Sequence, residues 1–383
     1  MMLLRRRRRV NPRLAPLVAF ALLAIAWPAR VATQGIPARL TDEAFWRMVT
    51  EFSEPGGFFR SDNFVSNETT FQHVIPSLRA TTKPGGVYLG VGPDQNFTYI
   101  IALQPRMAFI TDIRRQNLLQ HLMYKALMEM ATDRADFLSR LFSRPRPRGL
   151  DSTSSAGTLF AAFDAVSPDT ALFRRNFAAL RSQLVDRHKF ALSQDDVSTL
   201  EYVYSAFYMV GPDLTYSFSN STRGGFGRRM PTYGELMVET DASGQNLGYL
   251  ATEANFRALA DLQKRNLIVP LVGDFAGDKA LRAVGRYLRE NGATVTAFYL
   301  SNVEQYLFQQ DDDWRRFFSN VAALPVDSSS TFIRAVFNNV AFRSSSNTPG
   351  PRSVTMLASI GESVRMFADG RITSYYDVIQ MSR

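Results

Sequence analysis

Residues 87–89 (VYL) are a short apolar run that ends at Gly90, and residues 96–103 follow with helical apolar spacing until Gln104-Pro105 stops them. Residues 107–111 (MAFIT) form a second apolar run that ends at Asp112. Leu118, Leu119, Leu122, Met123, Ala126 and Leu127 then recur at the spacing of one helix face. The same alternation returns later: an apolar run over 267–272, the turn GDFAG at 273–277, a stripe of Leu281, Val284 and Leu288, a stop at Asn291-Gly292, and a run over 295–300. Residues 332–337 and 354–360 read as further strands. Short strands alternating with helices predict an α/β fold, with an open, mostly parallel sheet and helices on both faces.

Outside these units the pattern changes. Thr41 is placed to cap a helix carrying Phe45, Trp46, Val49 and Phe52. Residues 52–68 (FSEPGGFFRSDNFVSNE) read as a loop, and the four phenylalanines in it predict that it packs. Residues 143–157 are rich in Pro, Arg and Ser and mark a boundary, with RPRPR at 144–148 reading as solvated linker. Beyond it, Ser167-Pro-Asp169 and Ser193 open helices, and 219–229 (SNSTRGGFGRR) reads as a glycine-rich surface loop. The expected organisation is therefore a prefix over 1–34, a first α/β part over 35–142, a linker and mostly helical insertion over 143–232, and a second α/β part over 233–383.

Composition narrows the function classes. The chain has 383 residues, 45% of them hydrophobic, as in a globular protein with a full core. It has no cysteine, which excludes disulfides, thiolate nucleophiles and cysteine metal sites. The net charge of +9 is concentrated in the prefix: Arg5 to Arg9, Arg13 and Arg30 supply seven charges with no acid before residue 35, which leaves +2 for the rest. A nucleic-acid surface is not expected from that balance. The arginines precede an apolar run over 14–27, which as a helix spans about 21 Å against a hydrocarbon core of roughly 30 Å. This pattern predicts an export signal and a periplasmic or secreted protein, or alternatively an uncleaved anchor in the inner membrane. Membrane contact is expected only through this segment, and nothing in the sequence sets the oligomeric state.

The chemistry-bearing positions cluster at strand ends. Gly90-x-Gly92 lies between a strand and a helix, and Asp112 ends the next strand 20 residues later. Glycines let a nucleotide approach the backbone, the helix start offers free N–H groups, and the carboxylate can take ribose hydroxyls. Asn302 and Glu304 lie just past the strand over 295–300, where ligands of open α/β sheets collect; Ser301 capping the next helix is the alternative. Ser61, Asp62, Asn63, Asn67 and Glu68 are candidates for a lid over the cleft, or simply turn formers. GDFAGDK is one residue short of a phosphate-binding loop and has no Ser or Thr after Lys279, so its glycines read as a tight turn. His121 reads as a boundary residue of its helix rather than a base, and the three histidines are too scattered for a metal site. A hydrolase using Asp274 or Glu304 has the least support, with neither HExxH nor GxSxG present.

Residues 86–127, with the unit over 266–300, resemble class I S-adenosylmethionine-dependent methyltransferases, which have a Rossmann-like fold. FSEPGGFFRSDNFVSNE, GGVYLGVGPDQNFTYI, DIRRQN and NLIVPLVGDFAG together resemble more closely an uncharacterised bacterial family with that fold, over most of residues 45–340. The resemblance implies S-adenosylmethionine as cofactor and methyl transfer to an unknown acceptor. Gly90 and Gly92 would line the cofactor, Asp112 would hold its ribose, and Asp274 would face adenine or substrate. Two positions depart from the pattern. Tyr88 stands where methyltransferases usually carry an acid, and Asp94 replaces the third glycine, where it would either bond the cofactor's ammonium group or block the site. The alternative is an exported, non-catalytic protein that reuses the fold to bind a ligand or a protein.

Overall fold

The computed structural model describes residues 35–217, 230–337 and 353–382. The expected export segment and the glycine-rich loop at 219–229 lie outside the described residues. Six strands form one sheet: β1 (Val87–Gly90), β2 (Met107–Asp112), β3 (Ile268–Val272), β4 (Val295–Ser301), β5 (Val326–Phe337) and β6 (Ser353–Ser359). Their order is β3-β2-β1-β4-β5-β6, parallel from β3 to β5, with β6 antiparallel to β5. The fold is α/β and Rossmann-like.

Every residue of β1, β2 and β3 is buried, because helices cover both faces; this is why these strands read as unbroken apolar runs rather than alternating ones. Pro270 sits within β3 at no cost to the ladder, since β3 is the edge of the sheet and bonds only β2. The chain runs from β1 outward to β2 and β3, then returns to β4 on the other side of β1. That reversal opens a crevice between the carboxyl ends of β1 and β4, the place where open α/β sheets bind ligands.

The helix Arg115–Met130 is buried on all sides from Asn117 to Met128, not only along the predicted stripe. One face packs on the sheet, and the other meets the helix Gln194–Val210 of the helical segment between β2 and β3. That segment is wider than its expected bounds, since the helices Arg134–Phe142 and Glu253–Lys264 also belong to it. RPRPR is only partly solvated. Arg144 is buried and donates to the Phe163 carbonyl at 2.6 Å, whereas Arg146 pairs with Asp133 near the surface.

Local chemistry sets two helix starts as expected, whereas Ser301 does not cap the helix after it and the helix after Pro168 begins at Thr170 with Asp169 as its cap. The Thr41 hydroxyl accepts from the Ala44 N–H at 3.1 Å, and Ser193 forms a reciprocal capping box with Asp196. The GDFAG turn needs glycine for space: a Cβ on Gly273 would lie 2.3 Å from that of Ala280. The helix that follows, Ala280–Glu290, is capped from outside, because Glu54 Oε1 accepts from the Lys279 and Ala280 N–H groups at 3.1 and 2.6 Å. The position where a phosphate would sit is thus filled by a carboxylate.

Candidate functional site

A cleft of about 310 Å³ opens at the carboxyl rim of the sheet. Its floor comes from residues 91–93 after β1, 111–114 at and after β2, 273–275 after β3, and Tyr299 with residues 301–303 at the end of β4. The loop over 52–68 and Tyr306 form its walls.

The turn after β1 is held from behind. Asn96 Nδ2 donates to the carbonyls of Val91, Gly92 and Pro93 at 2.8, 3.3 and 2.7 Å, while its Oδ1 accepts from the Tyr88 hydroxyl at 2.9 Å. Tyr88 therefore replaces the expected acid as a brace for the turn. A Cβ on Gly90 would lie 1.9 Å from Asn96 Oδ1, so Gly90 is needed for this clamp and does not itself line the cleft. Gly92 does line it, and its φ of +75° is one that glycine adopts without strain. His121 is buried, not a boundary residue. Its Nε2 lies 2.9 Å from the Gly92 carbonyl, and burial lowers its pKa to about 4, so the neutral ring donates a second brace.

Asp94 does not line the cleft. It turns into a cluster of tyrosines, where Tyr249 donates to its Oδ2 at 3.2 Å and Tyr233 lies 2.5 Å from the Tyr249 hydroxyl. Burial raises its pKa to about 7. Glu304 is also away from the lining, in a buried ion pair with Arg334 on β5 at 2.6 and 3.0 Å. The remaining predicted positions, Asn63, Glu68, Gly92, Asp112, Asp274 and Asn302, all line the cleft.

Asp112 has a partner that sequence reasoning missed. Arg114 donates to Asp112 Oδ1 from Nε at 3.0 Å and to Oδ2 from Nη2 at 2.9 Å, and the Arg114 N–H adds a third bond to Oδ1 at 2.9 Å. Nη1 of the same guanidinium reaches the carbonyls of Ser61, at 3.2 Å, and Asp62. The pair therefore ties the loop over 52–68 to the tip of β2. Further ties come from the Gly57 N–H to the Ile113 carbonyl, at 2.7 Å, and from Gln120 to the Phe64 carbonyl, at 2.6 Å. The loop packs through buried Phe64 and half-buried Phe52 and Phe59, whereas Phe58 is exposed. Asp274 is half-buried, raised above its ordinary pKa by burial, and accepts from the Ala276 N–H at 2.8 Å.

Glu68 is the most enclosed acid of the cleft, only 1% exposed. Tyr299 donates to its Oε1 at 2.7 Å, Gln95 to its Oε2 at 2.8 Å, and the Ser301 hydroxyl also bonds Oε1. Burial raises its pKa despite these bonds. Ser301 adopts φ +50° at the strand end, where the pairing of β4 with β5 shifts register. A left-handed serine at a binding rim is backbone strain held by its surroundings. Tyr299 was not singled out from sequence, and Ser301 was considered only as a cap for the next helix, which it does not provide; their signal was adjacency to Asn302 at the end of an apolar strand.

Comparison with known proteins bears on the family alone. The profile of a family described as a domain of unknown function, DUF7790, matches residues 63–357. The chain belongs to that family. No curated protein matches it. The matched DUF7790 region contains the whole sheet rim together with Asn63, Glu68, Asp112, Arg114, Asp274 and Asn302. Among the described residues, no group of three or more His, Asp or Glu could hold a metal ion, and no helix is long and apolar enough to cross a membrane.

Proposed function

We propose that the rim cleft binds S-adenosylmethionine and that the protein passes its methyl group to an acceptor. The observation that carries this reading is the meeting of the Gly92 turn and Asp112 in one open crevice beside the β1–β4 reversal. Asp112 is committed to Arg114, but its Oδ2 takes only one of those bonds and retains a lone pair for a ribose hydroxyl. Asp274, after β3 and so beside Asp112, and Asn302, after β4 on the other side of β1, flank the rim for the base or acceptor. In-line methyl transfer needs positioning more than acid–base chemistry: the acceptor's lone pair forms the new C–X bond as the S–CH₃ pair returns to sulfur.

Thermal or chemical denaturation of the intact protein with S-adenosylmethionine or its demethylated product tests the reading. A ligand at about 100 times its dissociation constant adds about 2.7 kcal/mol, and Asp112→Asn should reduce the gain. No stabilisation by either compound overturns it.

A second reading, a non-catalytic exported binding protein, is favoured by the basic and apolar pattern of residues 1–34, because S-adenosylmethionine is made in the cytoplasm. A reporter fused after residue 40 separates the two: a reporter active only outside the cytoplasm favours the binding protein, and one retained inside favours the enzyme.

A further inference from the structure

The cleft is unbalanced in charge. Among the described residues, Glu68, Asp112, Asp274 and Asp313 line it, against a single cation, Arg114, which is already paired with Asp112. Glu68 carries the point furthest. Its bonded donors, Tyr299, Ser301 and Gln95, are all neutral, and no lysine or arginine among the described residues bonds it. A buried carboxylate without a counter-ion either gives up its charge or is matched by a cation from elsewhere. Two buried acids near the sheet, Asp112 and Glu304, are matched by arginines of this chain, and Asp94, closed off among tyrosines, is instead pushed up to about 7. Beside Glu68 the chain supplies an open cleft.

The walls agree with that. Phe58, Phe59, Tyr216, Tyr299 and Tyr306 line the space, and aromatic faces attract cations within about 6 Å. Phe59 packs edge-on against Tyr306, with centroids 5.4 Å apart, and already has the Arg114 guanidinium 6.0 Å from its ring. Among the described residues Phe58 has no such partner. It is 87% exposed at the cleft mouth, just after Gly56 and Gly57, where its ring is placed to turn over the opening.

We propose that the cleft selects a small organic cation, whose ammonium or sulfonium centre sits beside Glu68 as its counter-ion, with the Phe58 ring turning over the exposed side. This rests on the reading of the cleft as a small-molecule site and narrows its ligand class; S-adenosylmethionine carries both kinds of centre, and its demethylated product lacks the sulfonium.

The test is calorimetric titration of the full-length protein at pH 8 with S-adenosylmethionine, S-adenosylhomocysteine, choline, spermidine and ATP. At least one cation should bind the wild type, and ATP should not compete with it. Glu68→Gln keeps the shape and removes the charge, and should weaken that cation about tenfold or more. Phe58→Ala should weaken it several-fold while leaving the melting temperature of the free protein unchanged, which keeps the test valid should Glu68→Gln fold poorly. Binding of choline or spermidine without S-adenosylmethionine discards the adenosyl reading and leaves cation selection standing. Cation affinity equal in wild type and both variants, tighter binding of ATP than of any cation, or no cation binding at all overturns the proposal.

Discussion

Replacing Asp94 with asparagine isolates one buried proton. Asp94 is 1% exposed and faces Tyr249, with Tyr233 and Tyr124 beyond it and no cation bonded to it among the described residues. Burial raises its pKa from 3.8 to about 7. The folded state therefore holds a proton up to about pH 7 that the unfolded chain releases at about 3.8, so folding stability from this group is full below 3.8 and falls as pH rises through that window. The gap corresponds to about 4 kcal/mol, to order of magnitude. Asp94→Asn is neutral at every pH and keeps an acceptor for the Tyr249 hydroxyl. Chemical denaturation of both proteins from pH 4 to pH 8 should show the variant gaining on the wild type by about that amount, most of it between pH 5 and 7. Glu239 is also raised to about 7 by burial and adds to the slope of both proteins, so it cancels in the difference. A difference that stays flat with pH refutes the burial account of Asp94. Because Asp94 faces away from the cleft, ligand affinity at pH 8 should not change; a large loss would put Asp94 in contact with the ligand.

Arg114→Ala should destabilise the protein by about 3–5 kcal/mol, because it leaves the Asp112 carboxylate buried and unpaired and frees the loop over 52–68. Arg114→Lys should recover only part of this by chemical denaturation, since an ammonium cannot span the carboxylate and two carbonyls at once. His188 lies 2.6 Å from Glu129 and 2.9 Å from Asp42; burial opposes its charge, but the carboxylates prevail and hold it above its ordinary 6.5. Its contribution is full below pH 6.5 and lost as pH rises through the raised value, so His188→Gln should remove that alkaline loss in a melting-temperature profile. A profile unchanged by His188→Gln would show that the imidazole is not charged in the folded protein.

Much of the sheet was legible because fully covered parallel strands show as unbroken apolar runs between glycines and prolines. The rim positions Gly92, Asp112, Asp274 and Asn302 followed from the same reading, since a residue just past a strand's end can be placed by counting. Side-chain direction could not be counted. Asp94 and Glu304 also follow strand ends, yet one turns back among tyrosines contributed by residues 233 and 249, and the other turns down onto Arg334 of β5. Both partners are distant in sequence and leave no local trace. The same holds for Arg114, which is adjacent to Asp112 in DIRRQN but whose other contacts are carbonyls more than 50 residues earlier. The burial of His121 comes from the Gly92 carbonyl and the Phe97 ring just after β1, contacts that periodicity within its own helix does not reveal.

On the proposed reading, specificity is built by the segment before β1 rather than by the sheet. The sheet supplies a crevice at the strand reversal, and many chemistries use such a crevice. Here Asp112, the acid of the rim, holds Arg114, and Arg114 holds the loop that brings Asn63, Glu68 and the two aromatic residues Phe58 and Phe59 over the opening. The rim acid thus acts through the loop as well as on the cleft. The DUF7790 match begins at residue 63, so Glu68 and the Asp112–Arg114 anchor fall inside it, whereas Phe58 and Phe59 fall outside. Changing the aromatic cap should alter how tightly a ligand is held, and changing Glu68 should alter which charge is held.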